Sequence, residues 1–249
     1  MIYLKSPSEI EMMKRAGQIV AIAHEEVRKA IKPGVTTKAL DKLCEEVIRS
    51  YGATPAFKGY DGFPASICVA INEEVVHGIP DETTIRSGDI VGIDIGAEFQ
   101  GYYGDAAKTW PVGEISELAK ELLRVTEEAL HKGIENASIG KRLSDISHAI
   151  QRHVEANGFS VVRDFVGHGI GRKMHEEPQV PNFGKPGWGP RLKNGMVLAI
   201  EPMVNVGGYG VEITENDWTV VTKDGSLSAH FEHTVAITQS GPLILTTFE

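Results

Sequence analysis

The chain has 249 residues, 41% of them hydrophobic and 24% charged, and carries a net charge of −9 at neutral pH. That length is enough to bury a substantial core in one large domain or two small ones, and the ordinary composition excludes a disordered or low-complexity chain. The acidic excess, with no dense Lys/Arg patch, argues against a nucleic-acid-binding face, and no apolar run approaches the roughly 20 residues of a membrane span.

In chain order, the stretch "SPSEIEMMKRAGQIV" carries Glu9, Glu11, Lys14 and Arg15 where a signal peptide needs an uninterrupted apolar segment. It reads instead as a helix start, with Ser6 as N-cap, Pro7 at the first helical position and Glu9 closing a capping box. This helix spans 8–31 and stops at Pro33-Gly34, and a second spans 37–51 and stops at Gly52. The two cysteines, Cys44 and Cys68, lack CxxC spacing. They give neither a disulfide framework nor a zinc–thiolate site, and a reducing compartment, the cytoplasm, fits best. Strands are predicted at 66–71, 89–97 and 102–110, helices at 116–135 and 143–157, and further strands at 196–200, 204–206, 218–222 and 230–238. The sequon Asn136-Ala137-Ser138 would be idle in a cytoplasmic chain.

The order of elements repeats, and so does local sequence. "RSGDIVGIDIG" (86–96) and "LKNGMVLAIEPM" (192–203) each place a glycine six residues before an acid, Asp94 in one and Glu201 in the other. "VHGIP" around His77 and "GHGIG" around His168 add a looser echo. A period of about a hundred residues is too long for a solenoid and suggests two similar halves, roughly 1–110 and 111–249, closing on one site. No flexible linker separates them, and "NFGKPGWGP" (182–190) reads as a loop within the second half. The expectation is one domain of mixed α/β class with helices covering a sheet.

The segment "GIDIGAEFQGYYGDAAKTW" (92–110) puts Asp94 and Asp105 into two apolar strands joined by a turn at 98–101. A hairpin symmetric about Phe99 and Gln100 sets the two aspartates directly opposite each other. Two carboxylates roughly 5 Å apart repel by about 3 kcal/mol at an effective dielectric near 20. Lys108, three residues from Asp105, faces the other way on a strand, which leaves a shared proton or a metal ion as the offset.

Glu201 ends the apolar strand "MVLAIEPM", where Pro202 cannot donate to a ladder. In "AHFEHTVAIT", alternation puts His230, Glu232 and Thr234 on one face and Phe231, His233 and Val235 on the other. His24, His131, His148 and His153 lie in helical, mostly polar surroundings and read as surface residues, whereas His168 and His175 belong to the glycine-flanked "FVGHGIGRKMHEEP". That segment is no dinucleotide fingerprint, and "HEEPQ" is no zincin motif, because Pro178 prevents the helix that both require. An inventory of two Asp, two Glu and one or two His suits harder divalent ions and is large enough for two of them, which makes hydrolysis the reaction class.

With Asp94, Asp105, His168, Glu201 and Glu232 in that order, and with "EIEMMKRAG", "GHGIG", "EPMV" and "FEHT" around them, the chain resembles the type I methionine aminopeptidases along essentially its whole length. The resemblance implies the pita-bread fold, an α/β (α+β) domain with a pseudo-twofold repeat and a curved antiparallel sheet covered by helices. It implies two divalent metals (Co, Mn, Fe or Zn), bridged by Asp105 and Glu232, with Asp94 completing one ion and His168 and Glu201 the other. Metal-activated hydroxide would attack the first peptide bond, with Glu201 as general acid and base, His175 stabilising the oxyanion and His77 positioning the scissile peptide. The methionine side chain would occupy a cup of Tyr60, Phe63, Cys68, Met174 and Trp218, with Phe57 at its edge. Asn72 and Ser228 match residues around a monovalent-cation site in some members.

Co-translational removal of methionine ahead of a small second residue follows as the expected activity, on nascent polypeptides. Transient ribosome association and a monomeric state are further family expectations. The alternatives are an Xaa-Pro peptidase of the same fold and a non-catalytic pita-bread binding protein.

Overall fold

A computed structural model describes residues 1–248. Helix α1 (Pro7–Ala30) begins as the capping box requires: the Ser6 backbone N–H donates to Glu9 Oε2 at 2.9 Å, and the Glu9 N–H donates to the Ser6 hydroxyl at 3.3 Å. Helix α2 (Thr37–Ser50) follows, capped by the Thr36 hydroxyl. Strands β1 (Thr54–Pro55), β2 (Ile67–Ile71), β3 (Glu74–Val76), β4 (Ile90–Phe99) and β5 (Tyr102–Pro111) come next. The apolar faces of α1 and α2 cover β2 and β4 through Val20, Val27, Leu40, Ile48, Ile67, Ile93 and Ile95.

Close approach of α1 to the sheet depends on two glycines. A Cβ on Gly104 would stand 2.7 Å from the backbone nitrogen of Gly17, a separation no real side chain tolerates. The same contact overturns the surface reading of His24, which is 5% exposed and donates from Nε2 to the Ala106 carbonyl at 2.8 Å. His131 is exposed as predicted, while His148 and His153 are half-buried.

Helices α3 (Glu117–Glu135) and α4 (Leu143–Ala156) repeat the arrangement. They are followed by β6 (Ser160–Val161), β7 (Gly167–Gly169), β8 (Glu176–Val180), β9 (Val197–Ile200) and β10 (Met203–Asn205), then β11 (Val211–Ile213), β12 (Val220–Thr222), β13 (Ser228–His230), β14 (His233–Thr238) and β15 (Gly241–Ile244). Leu122, Val125, Leu130, Ile146 and Ile150 pack on Leu198, Ile200, Val204 and Val235 to form a second core. All strand pairings among the described residues are antiparallel, in the orders β1-β4-β2 with β5 on β4, β13-β10-β6, β11-β12-β3 and β15-β14-β9-β7-β8.

The hairpin register differs from the sequence expectation. Gln100 and Gly101 form a two-residue turn with φ of 51° and 83°, the double positive φ of a type I′ connection. Phe99 therefore pairs with Tyr102, Asp94 with Ala107 and Asp105 with Gly96. Moving the turn centre by one residue moves each partner by two, so the two aspartates stay on one face as diagonal neighbours.

A directly opposed pair of acids does exist, elsewhere in the chain. The predicted strand 230–238 is two strands, β13 and β14, interrupted at Phe231 and Glu232, and β9 and β10 are interrupted at Glu201 and Pro202. Ile200 pairs with His233 and Met203 with His230, so the register carried across the gap sets Glu201 opposite Glu232. Both glutamates sit where the chain leaves one sheet for the next.

Candidate metal centre and active site

The strands converge on a cavity of about 490 Å³. Asp94 comes from β4, Asp105 from β5, His168 from β7, and Glu201 and Glu232 from the two strand breaks. One donor atom from each of Asp105, His168 and Glu232 lies within 4.8 Å of the others. His168 Nε2 stands 3.8 Å from Asp105 Oδ2 and 3.6 Å from Glu201 Oε1. Asp94 and Asp105 lie close enough for each to perturb the ionisation of the other.

These acids are poorly solvated and crowded. Burial pushes Asp94 up to about 7. Asp105 rises well above the usual carboxylate range by burial, then by repulsion from Glu232 and Asp94. Glu201 and Glu232 rise for the same reasons, with burial again the larger cause. Burial drives His168 down to about 3, and its Nδ1–H donates to the Gly169 carbonyl at 2.9 Å. That bond fixes the tautomer and leaves Nε2 as a bare lone pair turned toward the acids.

The residues fit a divalent cation on their own chemistry. Asp94 Oδ1, Asp105 Oδ1 and Glu232 Oε1 are buried without a hydrogen-bond partner, and among the described residues no Lys or Arg lines the cavity. Ionised carboxylates are acceptors only, so an orphaned, buried cluster of them needs a cation or protons. Oxygen donors with one imidazole nitrogen match the harder first-row divalent metals.

The opposite wall is apolar. Phe63 meets Trp218 edge-on at 5.1 Å between centroids, Cys68 pairs with Asp94 across β2 and β4, and Met174 is 2% exposed. Trp218 lies in the turn before β12 rather than in a strand, behind Asp217 with φ 63°. Phe57 fits at the rim because Gly96 has no side chain, since a Cβ there would meet the Phe57 ring at 2.7 Å. Tyr60 shares a 2.7 Å hydrogen bond between its hydroxyl and His175 Nδ1, and the His175 ring lies 4.3 Å from that of His168. His77, at φ 60°, packs edge-on against Phe165 at 5.6 Å, and burial lowers its pKa to about 4.

Every residue the sequence singled out for metal, catalysis or the methionine cup therefore lines this one cavity. Sequence reasoning missed Asp61, Val76, Asp164, Phe165, Val166, Met203 and His230, which line it as well. For His230 a signal was present, since it shares the alternation face of Glu232. Its Nε2 is buried and unpartnered, 3.8 Å from Glu201 Oε2. Asn72 and Ser228 meet away from the cavity, with the Ser228 N–H donating to the Asn72 carbonyl at 2.8 Å.

A sequence profile of metallopeptidase family M24 matches residues 11–239. The methionine aminopeptidase of Clostridium acetobutylicum is 59% identical over 250 positions, spanning 100% of both chains. The crystal structure of methionine aminopeptidase from Thermotoga maritima superposes with a TM-score of 0.98 at 54% identity, covering 99% of this chain and 100% of that one. The prolidase from Pyrococcus furiosus shares the fold at TM-score 0.81 and 25% identity, and there the match covers 99% of this chain but 66% of the prolidase. The architecture is the pita-bread fold of these enzymes. With a match of this extent around an acid-and-histidine cage suited to divalent cations, the chain belongs to metallopeptidase family M24.

Proposed function

We propose that the chain removes the N-terminal methionine from polypeptides whose second residue is small, acting as a metallo-exopeptidase. One observation carries the reading: the orphaned carboxylates of Asp94, Asp105 and Glu232 face the same cavity as the apolar cup of Phe63, Cys68, Met174 and Trp218. An unbranched thioether suits such a cup, and its first peptide carbonyl then falls beside the acids. The whole chain, 1–249, acts as one catalytic unit whose halves, roughly 1–110 and 111–249, supply Asp94 and Asp105 on one side and His168, Glu201 and Glu232 on the other.

Those five residues would hold two divalent ions, Co, Mn, Fe or Zn. Such ions, when bound, polarise the carbonyl and lower the pKa of water. Glu201 takes a proton from the attacking water and returns it to the leaving amine, a role open to a carboxylate beside that water. With the Tyr60 O–H donating a hydrogen bond to its Nδ1, His175 presents Nε2–H to the developing oxyanion. His77, neutral at physiological pH, positions the scissile peptide and its leaving nitrogen. Phe57 and Tyr60 close the mouth over the methionine side chain. The substrate is the N-terminus of a nascent chain, met by a cytoplasmic monomer in transient contact with the ribosome.

Purified protein supplied with Mn²⁺, Fe²⁺ or Co²⁺ is expected to release methionine from Met-Ala and Met-Gly peptides and to leave Met-Lys peptides intact. Cleavage of Xaa-Pro peptides instead would assign it to the prolidase branch, and inactivity with every metal would favour a binding role.

A further inference from the structure

A buried ion pair outside the cavity holds the segment that carries Met174 and His175. Lys5 Nζ lies 2.6 Å from Glu176 Oε2, with both side chains 6% exposed. The other oxygen, Glu176 Oε1, accepts the backbone N–H groups of Arg172 at 2.9 Å and Lys173 at 3.2 Å. Glu176 thus ties the start of the 171–175 segment to its end, and Lys5 ties both to the stretch preceding α1. Lys5 is itself fixed, since its N–H donates to the Gly195 carbonyl at 2.7 Å.

Two glycines make room for this lysine. A Cβ on Gly171 would stand 2.4 Å from Lys5 Cε, and one on Gly195 would stand 2.6 Å from the Lys5 carbonyl oxygen. A cation buried this deeply beside the active-site segment, and not beside the metal acids, has a positional consequence: His175 immediately precedes its partner.

We infer that Lys5 is a positioning residue for catalysis, acting through Glu176 to set the His175 imidazole and the Met174 wall. This rests on the oxyanion role assigned to His175. Rigid supporting residues of this kind matter because misplacement of a catalytic group by about 1 Å costs on the order of 100-fold in rate.

The test is a double-mutant cycle on metal-loaded protein with a Met-Ala peptide, using Lys5→Met, His175→Ala and the combination, with Lys5→Arg as the conservative variant. Lys5→Met is expected to lower kcat at least tenfold at unchanged metal stoichiometry, to add less than threefold on top of His175→Ala, and to be rescued at least in part by Lys5→Arg. Thermal unfolding of each variant verifies that the assayed protein is folded. Additive losses in the cycle, or a kcat within twofold of the parent for folded Lys5→Met, overturn the inference. An unchanged kcat for His175→Ala overturns instead the role given to His175. If Lys5→Met does not fold, Glu176→Gln, which removes the other charge of the pair at constant shape, takes its place in the cycle, and losses additive with those of His175→Ala refute the positioning role.

Discussion

Replacing Glu232 with Gln separates the stability of the site from its chemistry. A donor oxygen of Glu232 lies within 4.8 Å of one on Asp105, and both side chains are buried. Two unit charges at that distance repel by about 3 kcal/mol at an effective dielectric of 20. In metal-free protein the substitution removes this repulsion while keeping shape and the bond from the Glu232 N–H to the Ala107 carbonyl. As pH rises and both groups ionise, it should stabilise the metal-free protein by up to about 1–3 kcal/mol, which for a chain of this size raises Tm by about 2–4 °C per kcal/mol.

The pH dependence has a definite sign. The folded-state pKa values of these acids are raised, Asp94 to about 7, so between pH 4 and 7 the acids bind more protons in the folded metal-free protein than in the unfolded chain. Their contribution to stability falls as pH rises through that window, opposite in sign to that of the buried histidines, whose pKa values are lowered. Protons already relieve the repulsion at pH 5, so the gain from Glu232→Gln should shrink there. Thermal unfolding followed by circular dichroism, in chelator and then in excess Mn²⁺, reads both effects, and the metal-induced rise in Tm should be smaller for the variant than for the parent. A variant less stable than the parent in chelator at pH 8, or an equal metal-induced shift in both, would refute the reasoning.

Two further predictions concern α1. His24 is buried and its pKa is lowered to about 4, so between pH 4 and about 6.5 the unfolded chain binds the extra proton and stability falls as pH drops. His24→Leu should flatten the stability–pH curve in that window by up to about 1.4 kcal/mol per pH unit, measured by denaturant unfolding at a series of pH values. Gly104→Ala should destabilise the fold by about 1–3 kcal/mol, because the added methyl meets the Gly17 backbone. A Tm within 1 °C (about 0.5 kcal/mol or less) of the parent for this variant would show that α1 can shift away at little cost.

Much of the architecture was legible because long elements declare themselves. The four helices appear within a residue or two of their expected limits, since capping residues and apolar periodicity are local properties of α1 to α4. The strands β1, β3, β6, β7, β8, β11 and β15 were not legible, because two to five residues are too few to establish a period of two, and several carry Gly or Pro. The single predicted strand 230–238 concealed a break at Glu232 for a related reason: unbroken alternation on one strand says nothing about a change of partner. His24 misled because its neighbours in sequence are polar while its neighbour in space is the backbone of β5.

Sequence by itself determined the chemical inventory, two Asp, two Glu and one or two His as candidate metal donors with two histidines on glycine-flanked backbone, and its resemblance to a known family pointed to which aromatic and sulfur-bearing residues could form an apolar cup. Tertiary structure alone decided how the acids meet. The type I′ turn at Gln100-Gly101 makes Asp94 and Asp105 diagonal rather than opposed, and the paired breaks at Glu201 and Glu232 create the opposed couple instead. The physical reason is that side-chain identity fixes donor type and charge, whereas the distance between two charges depends on register and on where strands change sheets. Those are set by how a single turn closes and by pairings between strands about 30 positions apart, which side-chain identity alone does not fix.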